Sequence, residues 1–402
     1  MERVQILALF LAVSLLHPTI CYGLEDYEGN VKGKAKGGKG MCEEVLDGSG
    51  YPCLEYLVQT EDGFLLGLQR IPHGHDNNLL TLKKQKPPVL LQHGLLQGGD
   101  NWFLNPPGQS LGFILADEGF DVWIANVRGT RWSHGHIALT KTDRDYWDWT
   151  WDELAMYDLP AMLKFVYKTT GSKVFYVGHS QGTIIGMAAF TQTHVTDMVA
   201  AAALLSPITY LDHITSPFFS KAARHYLDWM VKTMGVREFN LRNDLGVELV
   251  DWVCQRDDVD CGDFLTALTG ANCCFNTTRI PYYLEFEPQS TSLKNLGHLA
   301  QMIRRGTFSM YDYGYFGNLQ HYFKLQPPEY NLSAIPETLP LWMASGGEDA
   351  LADPVDVLHM LEKLRTKPDM IYLADYGHID FILSIRAKAD VYDSMIDFFK
   401  SH

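Results

Sequence analysis

Residues 173–190 constrain the architecture more than any other stretch. A short apolar run, Lys173-Val-Phe-Tyr-Val177, passes through Gly178-His179-Ser180-Gln181-Gly182 into the helical run Thr183-Ile-Ile-Gly-Met-Ala-Ala-Phe190. Strand, sharp turn, helix is the setting in which a serine is held out on a strained turn. The glycines on either side, Gly178 and Gly182, are needed because the crowded backbone leaves no room for a Cβ. From about residue 55 the same alternation spreads along the chain. Apolar runs at Pro88–Gln92, Asp121–Ala125, Ala202–Leu205, Leu339–Ala344 and Met370–Ala374 alternate with longer helical patterns. Continuously apolar strands are those covered on both faces, which predicts a mostly parallel central sheet flanked by helices, an α/β domain.

Local signals place several helices. Thr150-Trp-Asp-Glu153 reads as a capping box, with Pro160 kinking or restarting the helix that follows. Asp353 before Pro354 reads as an N-cap, with Val357, Leu358, Leu361 and Leu364 as the apolar stripe. Between Pro207 and about Pro336 the alternation fails and aromatics, cysteines and short helical patterns take over. That stretch is read as an inserted, mainly helical cap.

Serine is a weak nucleophile until a base takes its proton, so a histidine and an orienting acid are expected beyond later strands. Both occur, in that order. Asp349 ends Gly346-Gly-Glu-Asp349 after one apolar run, and His378 ends Tyr376-Gly-His378 after the next. The order serine, acid, histidine matches the α/β-hydrolase scheme. Asp353 competes for the acid role, but its N-cap position accounts for it. Glu348 is a weaker rival, and Asp380 follows the base. An oxyanion would be met by two backbone N–H groups, that of Gln181 at the helix start and that of Leu95 in His93-Gly-Leu-Leu96. His93 is read as a packed structural histidine, and His134-Gly-His136, lacking a third ligand, as a polar loop. Tyr146-Trp-Asp-Trp-Thr-Trp151 is read as core packing rather than a base-stacking platform. Neither metal nor cofactor is expected.

At the N-terminus, Arg3 followed by an apolar stretch from Ile6 to Leu16 and the small residue Gly23 read as a secretory signal over 1–23. Eleven residues are too few to span a bilayer, which takes roughly twenty, and no later run reaches that length. A flexible linker follows over 24–41. In an oxidising compartment the six cysteines beyond Cys21 should form disulfides. Cys42 with Cys53 is the expected first bridge, and Cys254, Cys261, Cys273 and Cys274 form a second local cluster whose pairing the sequence leaves open. Asn276 and Asn331 begin glycosylation sequons. The 48 acidic residues outnumber 33 Lys and Arg, for a net charge of −15 that argues against a nucleic-acid partner.

These residues together resemble the acid lipase family of gastric and lysosomal type, within the α/β-hydrolases, over about residues 42–400. Beyond the serine turn, the similarity runs through Leu91-Gln-His-Gly-Leu-Leu96, Asn126-Val-Arg-Gly129, Tyr146 to Glu153, Tyr157-Asp-Leu-Pro160 and Gly346 to Pro354. The resemblance implies a triad of Ser180, Asp349 and His378, with Leu95 and Gln181 as oxyanion donors. It also implies a core over 42–210 and 334–402, interrupted by a cap and lid over 211–333. The implied activity is cofactor-free hydrolysis of triacylglycerols, cholesteryl esters and related acyl esters at a transient lipid–water interface, in the extracellular space or a lysosome or vacuole. Cys273-Cys274 and Asp257-Asp258-Val-Asp260 depart from the animal members. A sterol esterase, a general carboxylesterase and a non-catalytic lipid-binding module are the rival readings.

Overall fold

Eight strands form one twisted path. They are β1 (Leu54–Gln59), β2 (Phe64–Ile71), β3 (Pro88–Gln92), β4 (Asp121–Ala125), β6 (Val174–His179), β7 (Val199–Leu205), β10 (Leu341–Gly346) and β11 (Asp369–Leu373). Their order is β1-β2-β4-β3-β6-β7-β10-β11, and β5 (Gly135–His136) pairs with β2. The structure, a computed structural model, describes residues 39–75, 85–226, 233, 235–242 and 264–402. The signal segment, nearly all of the linker, Cys254, Cys261 and the acidic run at 257–260 lie outside the described residues.

From β4 to β11 every pairing is parallel. Alternate residues of these strands feed two separate cores. Leu90, Trp123, Tyr176 and Met343 point to one side, and Val89, Leu91, Val122, Ile124, Phe175, Val177, Trp342 and Ala344 to the other. That double burial is why the strands read as unbroken apolar runs. Each fully buried Leu or Val contributes about 1.5–3 kcal/mol. One face is covered by α1 (Leu111–Asp117) and the C-terminal helix. The other is covered by α2 (Leu159–Thr170), α3 (Gln181–Ala189) and the helix after Asp353.

Between β7 and β10 the chain leaves the sheet for an insertion. It holds α4 (Pro217–Arg224), α5 (Phe264–Thr269), α6 (Ile280–Phe286), α7 (Leu293–Arg305) and α8 (Gly314–Tyr322). A small antiparallel ribbon joins β8 (Glu238–Phe239) to β9 (Thr291–Ser292). The chain then returns through β10, α9 (Pro354–Lys363), β11 and α10 (Asp393–Ser401).

The structure departs from the sequence reading in three places. The strands β1 and β2 add an antiparallel edge before the first expected strand. The β1 residues are mostly exposed or half-buried, so an edge strand of this kind lacks the continuous apolar signature. Thr150 and Glu153 do form the capping box. As expected, the helix restarts at Pro160: a π turn over Leu154–Asp158 passes into α2, which begins at Leu159 with Pro160 in its first turn. In α9 the Asp353 carboxylate caps the Val355 N–H, and the helical phase this sets buries Val357 and Met360 while Leu358 is 62% exposed. Finally, Gly135-His136 is a short strand on β2 rather than loop.

Candidate active site

The strand order reverses between β3 and β6, because the chain leaves β3 on one side to make β4 and returns on the other to make β6. In open α/β sheets such a switch opens a crevice beyond the strand ends. Gln92 of β3 pairs with Gly178 of β6, so the turn after β3 and the turn after β6 emerge side by side. One carries Leu95, the other Ser180.

Ser180 has φ 55° and ψ −122°, a conformation that L residues avoid. Its surroundings hold it there. Its N–H donates to Leu205 O at 3.1 Å. Its carbonyl accepts the Thr183 hydroxyl at 2.6 Å, and that hydroxyl in turn accepts the Ile208 N–H at 2.8 Å. The flanking glycines are sterically required. A Cβ on Gly182 would lie 2.5 Å from Gln92 O, and one on Gly178 would lie 2.9 Å from the Gly182 backbone.

Asp349 and His378 meet at the ends of β10 and β11. His378 Nδ1 lies 2.9 Å from each Asp349 carboxylate oxygen, and both side chains are buried. Asp349 Oδ1 also accepts the Leu351 and Ala352 N–H groups at 2.9 and 2.8 Å. Burial works to raise the Asp349 pKa, but His378 and these N–H groups outweigh it and hold the carboxyl below its usual range. With Nδ1 engaged by the carboxylate, the proton is assigned there. Nε2 is left with a lone pair and no protein partner among the described residues. Of the rival acids, Asp353 is an N-cap, Glu348 is exposed, and Asp380 binds backbone N–H groups on the far side of the His378 turn.

Gln181 begins α3, so its N–H has no intrahelical acceptor. The Leu95 N–H makes no hydrogen bond within the described residues. Ser180, His378, Leu95 and Gln181 all line one cavity of about 610 Å³. Its remaining wall is mostly aliphatic and aromatic, with Phe219, Leu268, Leu299 and Ile303 supplied by the insertion and Leu104, Ile184 and Ile208 by the core. The two sequons lie on turns, each asparagine accepting hydrogen bonds from the residue two further on, Asn276 from Thr278 and Asn331 from Ser333.

His93 is buried, donates through Nδ1 to Gly94 O at 2.8 Å and accepts the Val127 N–H at Nε2. Burial pushes its pKa down to about 4, which keeps it neutral. The sequence alone marks no role for His179. Its Nε2 donates to His378 O at 3.0 Å, so the residue before the elbow serine braces the backbone of the histidine. Burial, the largest cause, lowers its pKa to about 3. Adjacency to Ser180 was its only signal, since the partner is 199 residues away. Arg128 and Asp158 were also unassigned. They form a buried ion pair at 2.6 Å that holds the chain beyond β4 against the helical segment before α2. Cys42–Cys53 and Cys273–Cys274 are both disulfide-bonded.

Two family models match the chain. One, described as the alpha/beta hydrolase fold, covers residues 87–384, and one described as a partial alpha/beta-hydrolase lipase region covers 42–106. Triacylglycerol lipase 1 of Arabidopsis thaliana is 54% identical over 361 residues, 90% of each chain. Gastric triacylglycerol lipase of Homo sapiens is 38% identical, with 86% of this chain and 87% of that one covered. The lysosomal acid lipase/cholesteryl ester hydrolase of Macaca fascicularis is 37% identical over 89% of this chain and 90% of its own. Among solved structures, a monoglyceride lipase from Saccharomyces cerevisiae superimposes with a TM-score of 0.52 at 16% identity, over 86% of this chain and 94% of that one, a likeness of fold alone. Fold, matched models and full-length relatives agree, and the chain belongs to the acid lipase family of the α/β-hydrolases.

Proposed function

We propose that this chain is a lipase that hydrolyses water-insoluble acyl esters, triacylglycerols foremost, with Ser180 as nucleophile, His378 as base and Asp349 as its orienting acid. The observation that carries the reading is the convergence of a strained serine and a histidine–carboxylate pair on one large apolar cavity. Ser180 Oγ attacks the ester carbonyl carbon while His378 Nε2 takes its proton, and Asp349 steadies the imidazolium. The carbonyl oxygen becomes an oxyanion held by the Leu95 and Gln181 N–H groups. The carbon–oxygen bond then breaks as Nε2 protonates the leaving alcohol. Water repeats the sequence on the acyl-enzyme and releases the fatty acid.

Residues 211–333 act as the cap in this reading, since the insertion supplies much of the apolar wall. It also carries Phe316 and Phe323, 91% and 86% exposed, which suit contact with a lipid surface. The two disulfides and the sequons at Asn276 and Asn331 fit a protein of the secretory pathway, delivered outside the cell or to a lysosome or vacuole. The deciding experiment compares wild type with Ser180→Ala on emulsified trioleoylglycerol, emulsified cholesteryl oleate and a soluble p-nitrophenyl ester. Long-chain turnover that vanishes in the variant establishes the lipase. Preference for the sterol ester makes it a sterol esterase, turnover of the soluble ester alone makes it a carboxylesterase, and no turnover leaves a binding module.

A further inference from the structure

Where α5 ends, a strap of the insertion, Thr269–Phe275, crosses both loops that carry the acid and the base. Thr269 O accepts the His378 N–H at 3.2 Å and the Ala350 N–H at 3.4 Å, and Gly270 forms a bridge with Asp349. Asn272 Oδ1 accepts the Ile379 N–H at 3.1 Å, while its amide donates back to Thr269 Oγ1 at 2.7 Å and to Gly270 O at 2.9 Å. The strap then reaches the Cys273–Cys274 disulfide. The N–H groups of both cysteines donate to one carboxylate, Asp380, at 2.9 and 3.1 Å. Asp380 Oδ2 also accepts the Gly377 N–H at 2.8 Å. A single buried carboxylate thus ties the start of the His378 turn to the disulfide. Beyond it, Ile385 N–H donates to Cys274 O at 2.9 Å. The fit is tight, because a Cβ on Gly377 would lie 2.7 Å from Asn272 Oδ1.

A disulfide between neighbours closes an eight-membered ring that includes their peptide bond. The ring limits the backbone torsions of the pair and so holds two successive N–H groups at the angle one carboxylate can accept. Opening it frees those torsions and with them the hold on Asp380. Cys273 is exposed, so a soluble reductant can reach the bond.

We propose that Asp380 and the Cys273–Cys274 disulfide are positioning residues for His378, and that turnover requires the disulfide to be closed. The inference rests on His378 being the base. Opening is thiol–disulfide exchange with a dithiol: one dithiol sulfur attacks, a mixed disulfide forms, and the second sulfur closes the reagent into a cyclic disulfide. Two electrons and two protons pass to Cys273 and Cys274, which become thiols.

The test uses the full-length chain and a soluble p-nitrophenyl butyrate substrate, so that contact with lipid plays no part. Asp380→Asn and the double variant Cys273→Ser/Cys274→Ser should each lose at least tenfold in kcat with KM within threefold, while melting cooperatively. The acid limb of kcat/KM should move to lower pH, because a loosely held His378 is less well supported by Asp349; a merely structural role would leave that limb in place. Dithiothreitol should lower wild-type kcat to the level of the double variant, reversibly on reoxidation, and should have no effect on the double variant. If Asp380→Asn fails to fold, the cysteine variant and the dithiol decide. Unchanged kcat and an unmoved acid limb in the folded cysteine variant, or a rise in KM alone, would overturn the proposal. A wild type inactive both on this ester and on emulsified trioleoylglycerol would instead remove the lipase reading, and this inference with it; activity on the emulsion alone moves the same comparison of variants to that substrate.

Discussion

His378 Nδ1 stands equidistant from the two oxygens of Asp349, 2.9 Å from each, while Asp349 Oδ1 also receives the N–H groups of Leu351 and Ala352. The carboxylate therefore has two duties, orienting the imidazole and shaping its own turn. Asp349→Asn separates them, because the amide oxygen can still accept the turn's N–H groups while the amide nitrogen faces Nδ1 and forces the proton to Nε2. In the proposed triad, a histidine whose lone pair points the wrong way cannot take the serine proton. We expect kcat to fall by about 10⁴-fold, the scale known for this change in such a triad, with KM and thermal midpoint little altered. Steady-state kinetics on a soluble ester and a melting curve check both halves.

Ser180 holds φ 55° and ψ −122°, at a cost of about 1–3 kcal/mol for a non-glycine residue. Replacement by alanine removes the proposed nucleophile and keeps the strain. Replacement by glycine removes both. Ser180→Gly should therefore be inactive yet more stable than Ser180→Ala by about 1 kcal/mol or more, after allowing for glycine's larger unfolded-state entropy. Urea denaturation of the two variants decides it; equal stabilities would mean the elbow is not strained.

How much of this was readable beforehand depended on where each signal resides. The bounds of β3 and β4 coincide with their apolar runs because every residue in them is buried. The β1–β2 hairpin escaped because its outer strand sits at the edge with an irregular exposure pattern. In α9, Leu358 was placed in the core and Met360 overlooked, a choice that only the helical phase set by the Asp353 cap resolves. The serine, acid and histidine of the proposed triad carry local marks, because each follows a strand and a glycine-containing turn. The contacts of His179, Arg128, Asp158 and Asp380 carry no such mark, because they are made to partners that the fold alone brings near.

Phe316 and Leu319, three residues apart and 91% and 48% exposed, share one face of α8, and the exposed Phe323 follows as the helix's left-handed C-cap. Covering such an exposed apolar face with a lipid surface removes it from water and is favourable. The double variant Phe316→Ser/Phe323→Ser should raise the apparent KM on emulsified trioleoylglycerol several-fold and leave kcat/KM on a soluble ester unchanged. An equal loss on both substrates would assign these residues to the cap's packing rather than to lipid contact.

His298 is buried, stacks on Trp151 with ring centroids 4.3 Å apart, and donates through Nε2 to Ser309 O at 2.8 Å. Burial lowers its pKa to about 3, well below the value of about 6.5 in an unfolded chain. Below pH 6.5 the unfolded state therefore binds a proton that the folded state refuses, and stability falls as pH falls. His298→Gln keeps the hydrogen bond to Ser309 and removes the titration. The variant should lose less stability than wild type between pH 6.5 and 4.5, by on the order of 2 kcal/mol, whatever its stability at neutral pH. Asp152, whose carboxyl burial raises to about 6, works in the opposite sense, and because its Oδ2 lies 3.8 Å from His298 Nδ1 the comparison is made with Asp152→Asn in both proteins.

Arg128 is the most exacting structural residue outside the site. Its guanidinium is buried between Asp158, itself fully buried, and the half-buried Asp62, and it lies 3.9 Å over the ring of Phe64. Burial raises the Asp158 pKa even with Arg128 in place, so this carboxylate is ionised only because the cation stands beside it. Arg128→Met should cost about 3–5 kcal/mol at pH 7, chiefly through the uncompensated charge left on Asp158. Because that carboxyl then titrates at higher pH folded than unfolded, the folded variant takes up its proton first. The deficit should shrink as pH falls from 7 towards 4. Adding Asp158→Asn to Arg128→Met should restore most of the loss at pH 7 and flatten the pH dependence, whereas two independent packing defects would add. Guanidinium denaturation of the four proteins at both pH values measures the coupling, and a deficit that does not change with pH would show that packing around Phe64, not charge, is what Arg128 provides.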